Sequence, residues 1–228
     1  EIRGALSAGC TMITLDCSEH IRAGEAPQGE NAQLGREAWN ALRLRYPETL
    51  LAGKSELCFS DGTLARASFV YGRAIEFAAS IHGEFFAGAG CGADLELSID
   101  ETSTATTPEQ HYFVANELYA RGVRLATLAP RFTGEFQKGV DYRGDIAQFE
   151  RELIAHCEIA KRFGYKLSIH SGSDKFSVFP IIGEQTQGRF HLKTAGTSWL
   201  EAMRVVAEKD PALYREAHAL ALESFEQA

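Results

Sequence analysis

Two histidine-bearing segments, HSGSDK (170–175) and RFHLKTAG (189–196), carry the residue types best suited to chemistry. Period-two alternation in KLSIH puts Leu167 and Ile169 on one side of a strand and Ser168 and His170 on the other. The same parity sets Phe190 and Leu192 against His191 and Lys193. If the two strands are neighbours, two imidazoles stand side by side at one sheet end. Imidazole is the common neutral ligand of transition-metal cations, and an oxygen donor would complete an open site. The oxygen donors at hand are Asp100 and Glu101, at the tip of ELSIDET. Parity groups Asp100 with Glu96 and Ser98, but a strand's last residue often turns, so Glu101 is equally eligible. We assign His170, His191 and Glu101 to the metal and Asp100 to catalysis.

Other polar residues collect at strand ends. Asp16 closes TMITLD, where a carboxylate could act as base, ligand or hydroxyl acceptor. His20 follows it closely. Arg131, in RFTGEFQKG, suits bidentate capture of a carboxylate, and Glu135 and Lys138 follow in the same loop. Ser171, Gly172 and Ser173 form a small-residue turn whose N–H groups could hold an anion, with Lys175 beside it. Gly88, Gly90 and Ala93 match G-x-G-x-x-A, but after a helix and before a strand, the reverse of a dinucleotide site. His111, His156 and His218 lie on helical stretches and read as surface or packing residues.

The positioning elements follow from periodicity and caps. Strands are expected at Thr11–Asp16, Ala93–Ile99, Arg124–Ala129, Tyr165–His170 and Arg189–Thr194. Helices are expected at 34–46, 60–82, from a Thr107–Pro108–Gln110 capping box to Gly122, from Asp145 to Gly164, around 174–185, from Ser198, and from Asp210–Pro211 to the end. The stretch from Ile21 to Phe59 reads as a helical excursion without strands. EIRGALSAGC reads as a helix end with a glycine stop, as if the chain opened inside a domain.

Strands alternating with helices call for a parallel sheet with right-handed crossovers. Functional side chains end almost every strand, and convergence of several strand tips on one rim is a barrel property, whereas an open doubly wound sheet concentrates its site at one switch point. The fold class is therefore α/β, a partial TIM-like (β/α) barrel of about five βα units forming one incomplete domain over 1–228. A closed barrel needs eight units, about 250 residues if compact, so further chain segments are expected on both sides.

Composition narrows the partners. The 228 residues hold 23 Lys+Arg against 31 Asp+Glu, a net charge of -8, which provides no general attraction for nucleic acid or anionic membrane. No apolar run approaches the ~20 residues of a membrane span. Five cysteines (Cys10, Cys17, Cys58, Cys91, Cys157), with no C-x-x-C, read as buried reduced thiols of a cytoplasmic protein.

The blocks TLDCSEHI, LSIDETSTATTPEQH, LAPRFTGEFQKGVDYRGD, KLSIHSGSDKFSVFPIIG and GRFHLKTAGTSWLEA together resemble the tagaturonate epimerase family. Cys17 departs from the proline expected in that turn. The resemblance implies a TIM-barrel-like, divalent-metal-dependent enzyme, longer than this chain, that interconverts D-tagaturonate and D-fructuronate in hexuronate catabolism. The inverted carbinol carbon of such a keto-uronate is β to the ketone, so simple enolisation cannot invert it. Retro-aldol cleavage, aldehyde rotation and re-addition can, with a Lewis acid holding the enolate. Asp16 and Glu135 would then serve as acid and base, and Arg131, Lys138, Lys175 or Lys193 would neutralise the uronate, with Ser171 and Ser173 at the anion turn. Zn, Mn, Ni and Co suit the donors. Two other readings use the same residues: a metal-dependent aldolase on a similar barrel, and an inactive fragment or split-barrel half needing a partner or a second copy.

Overall fold

A computed structural model describes residues 1–23, 35–88, 92–194 and 198–226. The predicted helix start at Leu34, Gly90, Cys91 and the run 195–197 lie outside the described residues. Five strands form one parallel sheet: β1 (Met12–Asp16), β4 (Asp94–Ile99), β5 (Thr127–Pro130), β6 (Lys166–Ile169) and β7 (Phe190–Leu192). Their order is β1-β4-β5-β6-β7, each pair parallel. Strand order therefore never reverses along the sheet. That is the winding of a β/α barrel and lacks the switch point of a doubly wound sheet. Among the described residues the sheet is open, with β1 and β7 at its edges, as a partial barrel requires.

Each strand feeds a helix, which gives the five expected βα units. α3 (Asp61–Phe85) follows β1 after the excursion; α4 (Pro108–Ala120), α5 (Ile146–Phe163), α6 (Phe179–Thr186) and α7 (Ser198–Lys209) follow the others. Before β1 stands α1 (Ile2–Ser7), and α8 (Pro211–Glu226) closes the chain. The helix ends lie where side-chain chemistry puts them. Thr107 and Gln110 form a reciprocal capping box on α4. The Asp145 carboxylate accepts from Ala147 and Gln148 N–H at the start of α5. Gly164 takes the left-handed conformation that stops α5.

Three expectations need correction. The 21–59 stretch is not purely helical: after α2 (Arg36–Arg45) it forms an antiparallel hairpin of β2 (Thr49–Ala52) and β3 (Ser55–Cys58). Gly53, at φ 61, supplies the positive dihedral for its two-residue turn. Glu117 of α4 anchors the excursion to the barrel wall, accepting from Arg45, Arg121 and the Tyr46 hydroxyl while almost fully buried. The cysteines are also not uniformly buried. Cys10 and Cys58 are exposed, whereas burial and, secondarily, the charge of Asp16 push the Cys17 thiol up to about 12. α6 starts at Phe179, later than predicted, because Asp174 at φ 61 breaks helical continuity.

β4 is buried on both faces from Leu95 to Ile99, as expected of a central parallel strand. Behind it, on the helix side, His111 and His156 are fully buried. Their Nδ1 atoms lie 2.8 Å apart, and His111 Nε2 lies 2.6 Å from the Tyr165 hydroxyl. Only one of the two facing nitrogens can carry hydrogen, so the two rings cannot both be cationic. Burial pushes His111 well below the usual imidazole range and His156 down to about 4; the His156 charge adds to the first, and the Thr106 main chain opposes the second. Groups that are depressed when folded stabilise the fold above their unfolded pKa of about 6.5. Stability should therefore fall as pH drops from about 6.5 through about 4. In denaturant titrations across that range, His156→Leu should flatten the slope; an unchanged slope would rule out the pair as its source.

Candidate functional site

The register of the sheet places a carboxylate at its centre. Thr14 of β1, Glu96 of β4 and Thr127 of β5 are mutual register partners, so they share one layer. Both hydroxyls donate to Glu96, Thr14 at 3.0 Å to Oε1 and Thr127 at 2.6 Å to Oε2. The histidines complete the shell: His170 Nε2 lies 3.0 Å from Oε1, and His191 Nδ1 lies 2.7 Å from Oε2. Each oxygen thus has two partners, and the fully buried side chain is saturated. Burial by itself would raise the Glu96 carboxyl; hydrogen bonds from His170, Thr127 and Ser168 and the His170 charge outweigh it and hold it well below the usual range.

His170 continues the network to the rim. Its Nδ1 lies 3.2 Å from Asp100 Oδ1, to which the Ser98 hydroxyl donates at 2.5 Å. Burial disfavours the imidazolium, yet bonds to Asp100 and Glu96 and their charges raise His170 to about 9. Asp100 is held low in turn: burial opposes this, and His170 and Ser98 overcome it. The paired imidazoles on adjacent strands are present as alternation predicts. His191 Nδ1–H donates to Glu96, and the hydroxyl of Ser168, its register partner on β6, lies 3.0 Å from the same nitrogen.

An open cleft of about 460 Å³ lies above the network, lined in part by Asp100, Glu101, Arg131, His170 and Ser171. The structure thus brings these five sequence-predicted residues together. Arg131 fixes the cleft wall through Thr102 and Thr106. Asp16 stands exposed at the tip of β1, with its carboxylate accepting from Ser18 N–H. His20 stacks on Phe77, ring centroids 3.9 Å apart. Glu135 and Lys138 are exposed in the loop 131–145, where Glu135 bridges to the Arg143 main chain. Lys193 binds through its main chain to Ile169 and Gly172 and leaves its side chain exposed. Ser173 is buried and accepts from Gly139 N–H. Lys175 differs most from expectation. It is fully buried and donates to three main-chain carbonyls, so it does not present a charge to the cleft.

Glu96 is the functional residue that sequence reasoning passed over. It was placed on the inner face, but a carboxylate in mid-strand, between Leu95 and Leu97, was itself the signal, because a charge there needs partners. The donor types fit a divalent cation. Glu96 orients His191 through Nδ1 and leaves Nε2 on the opposite side of the ring, the pattern of metal-bound histidines held by an outer carboxylate. Among the described residues no three His, Cys, Asp or Glu side chains already surround one point, and both His170 nitrogens are engaged, by Glu96 and by Asp100.

A model of the tagaturonate epimerase family matches residues 1–228. The tagaturonate/fructuronate epimerase of Thermotoga maritima is 42% identical over 234 residues, covering 100% of this chain and 48% of the relative. A native crystal structure of the fructuronate-tagaturonate epimerase of Cohnella laeviribosi is 51% identical with TM-score 0.90, covering 99% of this chain and 48% of that one. Its complex with one glycerol gives TM-score 0.89 at the same identity, covering 100% and 48%. The chain spans about half the length of these relatives. By NMR in metal-free buffer, the His170 imidazole should titrate near 9. Glu96→Gln should lower it by about one unit or more. Titration at about 6.5 in the parent chain would show that the carboxylates do not hold His170.

Proposed function

The chain belongs to the tagaturonate epimerase family, and on that premise we propose that it carries part of the active site of an epimerase interconverting D-tagaturonate and D-fructuronate. The observation that carries the reading is the Glu96-centred network at the rim of a chain that matches the family along its whole length. The reaction must invert a carbinol carbon β to a ketone. In a retro-aldol course, a base takes the hydroxyl proton and the carbon–carbon bond toward the ketone breaks. Its electron pair enters the enolate, and the former carbinol becomes an aldehyde. Rotation of the aldehyde and re-formation of the bond on its other face restore the hydroxyl with inverted configuration.

The chain's own residues fit the tasks of this course. Asp100 lines the cleft and stays ionised at neutral pH, so it can hold the reacting hydroxyl. His170 is cationic there and fixes Asp100 in place. Arg131 can pair bidentately with the uronate carboxylate at the same cleft. Asp16 and Glu135, at the tip of β1 and on the loop after β5, are the candidate acid and base on the two sides of the substrate. A divalent cation held by His191, a carboxylate of Asp100 or Glu101, and His170 once it has given up one ring proton and the carboxylate bond at that nitrogen, would supply Lewis-acid stabilisation of developing oxygen charge. We extend this to a cytoplasmic enzyme of hexuronate breakdown; among the described residues no helix is long and apolar enough to cross a membrane.

The test is epimerisation of D-tagaturonate by the protein carrying this chain, run in deuterium oxide. The product should carry no deuterium at the inverted carbon, and chelator treatment should abolish turnover until a divalent cation is restored. Solvent deuterium at that carbon would refute the retro-aldol course. Accumulation of cleaved aldehyde products would mark an aldolase instead.

A further inference from the structure

Lys175 donates to the carbonyl oxygens of Gln137 at 2.6 Å, Val140 and Ser173 at 2.8 Å. An ammonium has three N–H bonds, and here all three are used. Two acceptors belong to the loop 131–145 after β5, and the third to the loop 170–178 after β6. Further bonds join the same two loops. Gly139 N–H donates to Ser173 Oγ, and the Ser177 amide and hydroxyl donate to the Asp141 carboxylate. Asp141 and Asp174 supply the negative charge near the buried ammonium, and the Phe136 ring lies 6.0 Å from Nζ.

The loop so held is strained. Ser171 at φ 48 and Asp174 at φ 61 adopt left-handed conformations that non-glycine residues rarely take. Gly172 between them is pressed against Leu192, where a Cβ would lie 2.2 Å from a methyl carbon. Such a turn persists only where its surroundings over-determine it, and it directly follows His170.

We propose that Lys175 is a positioning residue. By bonding three main-chain carbonyls it locks the loops after β5 and β6 together, which sets the strained turn behind His170 and the cleft wall of the 131–145 loop. This role deepens the proposed function and rests on it for its catalytic consequence. Lys175 touches no substrate; it acts through the two loops it joins.

Hydrogen–deuterium exchange of Lys175→Met tests the lock without needing activity. Peptides from both 131–145 and 170–178 should exchange about tenfold faster, with the β2–β3 hairpin unchanged. Ser177→Ala, an exposed change, should accelerate both loops in the same sense by a smaller factor and guards against an unfolded Lys175 variant. In the epimerase assay, Lys175→Met should lower kcat about tenfold or more while KM changes little. Unchanged exchange in either loop overturns the proposal. A raised KM with normal exchange also overturns it, making Lys175 a substrate contact. If the parent chain's protein does not epimerise tagaturonate, the functional reading fails, and exchange still decides the lock.

Discussion

The burial of one carboxylate organises this protein. Glu96 sits on an interior strand of a parallel sheet with no access to solvent, and a lone charge in such a place would be prohibitively unfavourable. It is tolerated because Thr14, Thr127, His170 and His191 each place a polar hydrogen-bonding atom at its oxygens. These partners come from both neighbouring strands and from the two strands beyond. The need to satisfy Glu96 therefore fixes how four strand ends meet, and that meeting is the rim where the cleft opens.

The same electrostatics divides labour among the rim groups. Two carboxylates around one imidazole keep His170 charged, and the charged His170 keeps Glu96 and Asp100 ionised. Asp100, a half-buried end of that chain, then faces the cleft with its charge intact. On the helix side of the sheet the opposite condition holds. Among the described residues no carboxylate bonds His111 or His156, which share one hydrogen between facing nitrogens, and burial leaves them neutral. His170 is thus charged while His111 and His156 are neutral, because His170 stands between two carboxylates and the other two do not.

Much of the architecture was legible in local patterns. The capping box at Thr107, the Asp145 cap and the Gly164 stop mark helix ends through contacts within a few residues. Period-two alternation placed His170 and His191 on one face, and strand–helix alternation pointed to five βα units. The β2–β3 hairpin escaped because its strands are four residues each and it packs on α4 and α5 away from the sheet, so its apolar pattern is too brief to separate from loop. Lys175 was misread for another reason. A lysine next to a small-residue turn has the same local context whether its ammonium meets a ligand or main-chain carbonyls, and only the approach of the 131–145 loop distinguishes them.

The amino-acid sequence by itself determined the element types, the side of the strand on which each polar residue stands, and the motifs shared with the tagaturonate epimerase family. Those properties depend on backbone sterics and on neighbours one to four residues away. Tertiary structure alone decided that Glu96 is the hub, that Asp100, Glu101, Arg131, His170 and Ser171 share one cleft, and that Lys175 is enclosed. Each of these rests on contacts between residues 31 to 95 positions apart for Glu96 and its histidines and threonine, and 35 or more for the loop carbonyls that Lys175 joins. Charge burial is a property of everything that surrounds a group, and what surrounds it is set only when the strands have paired.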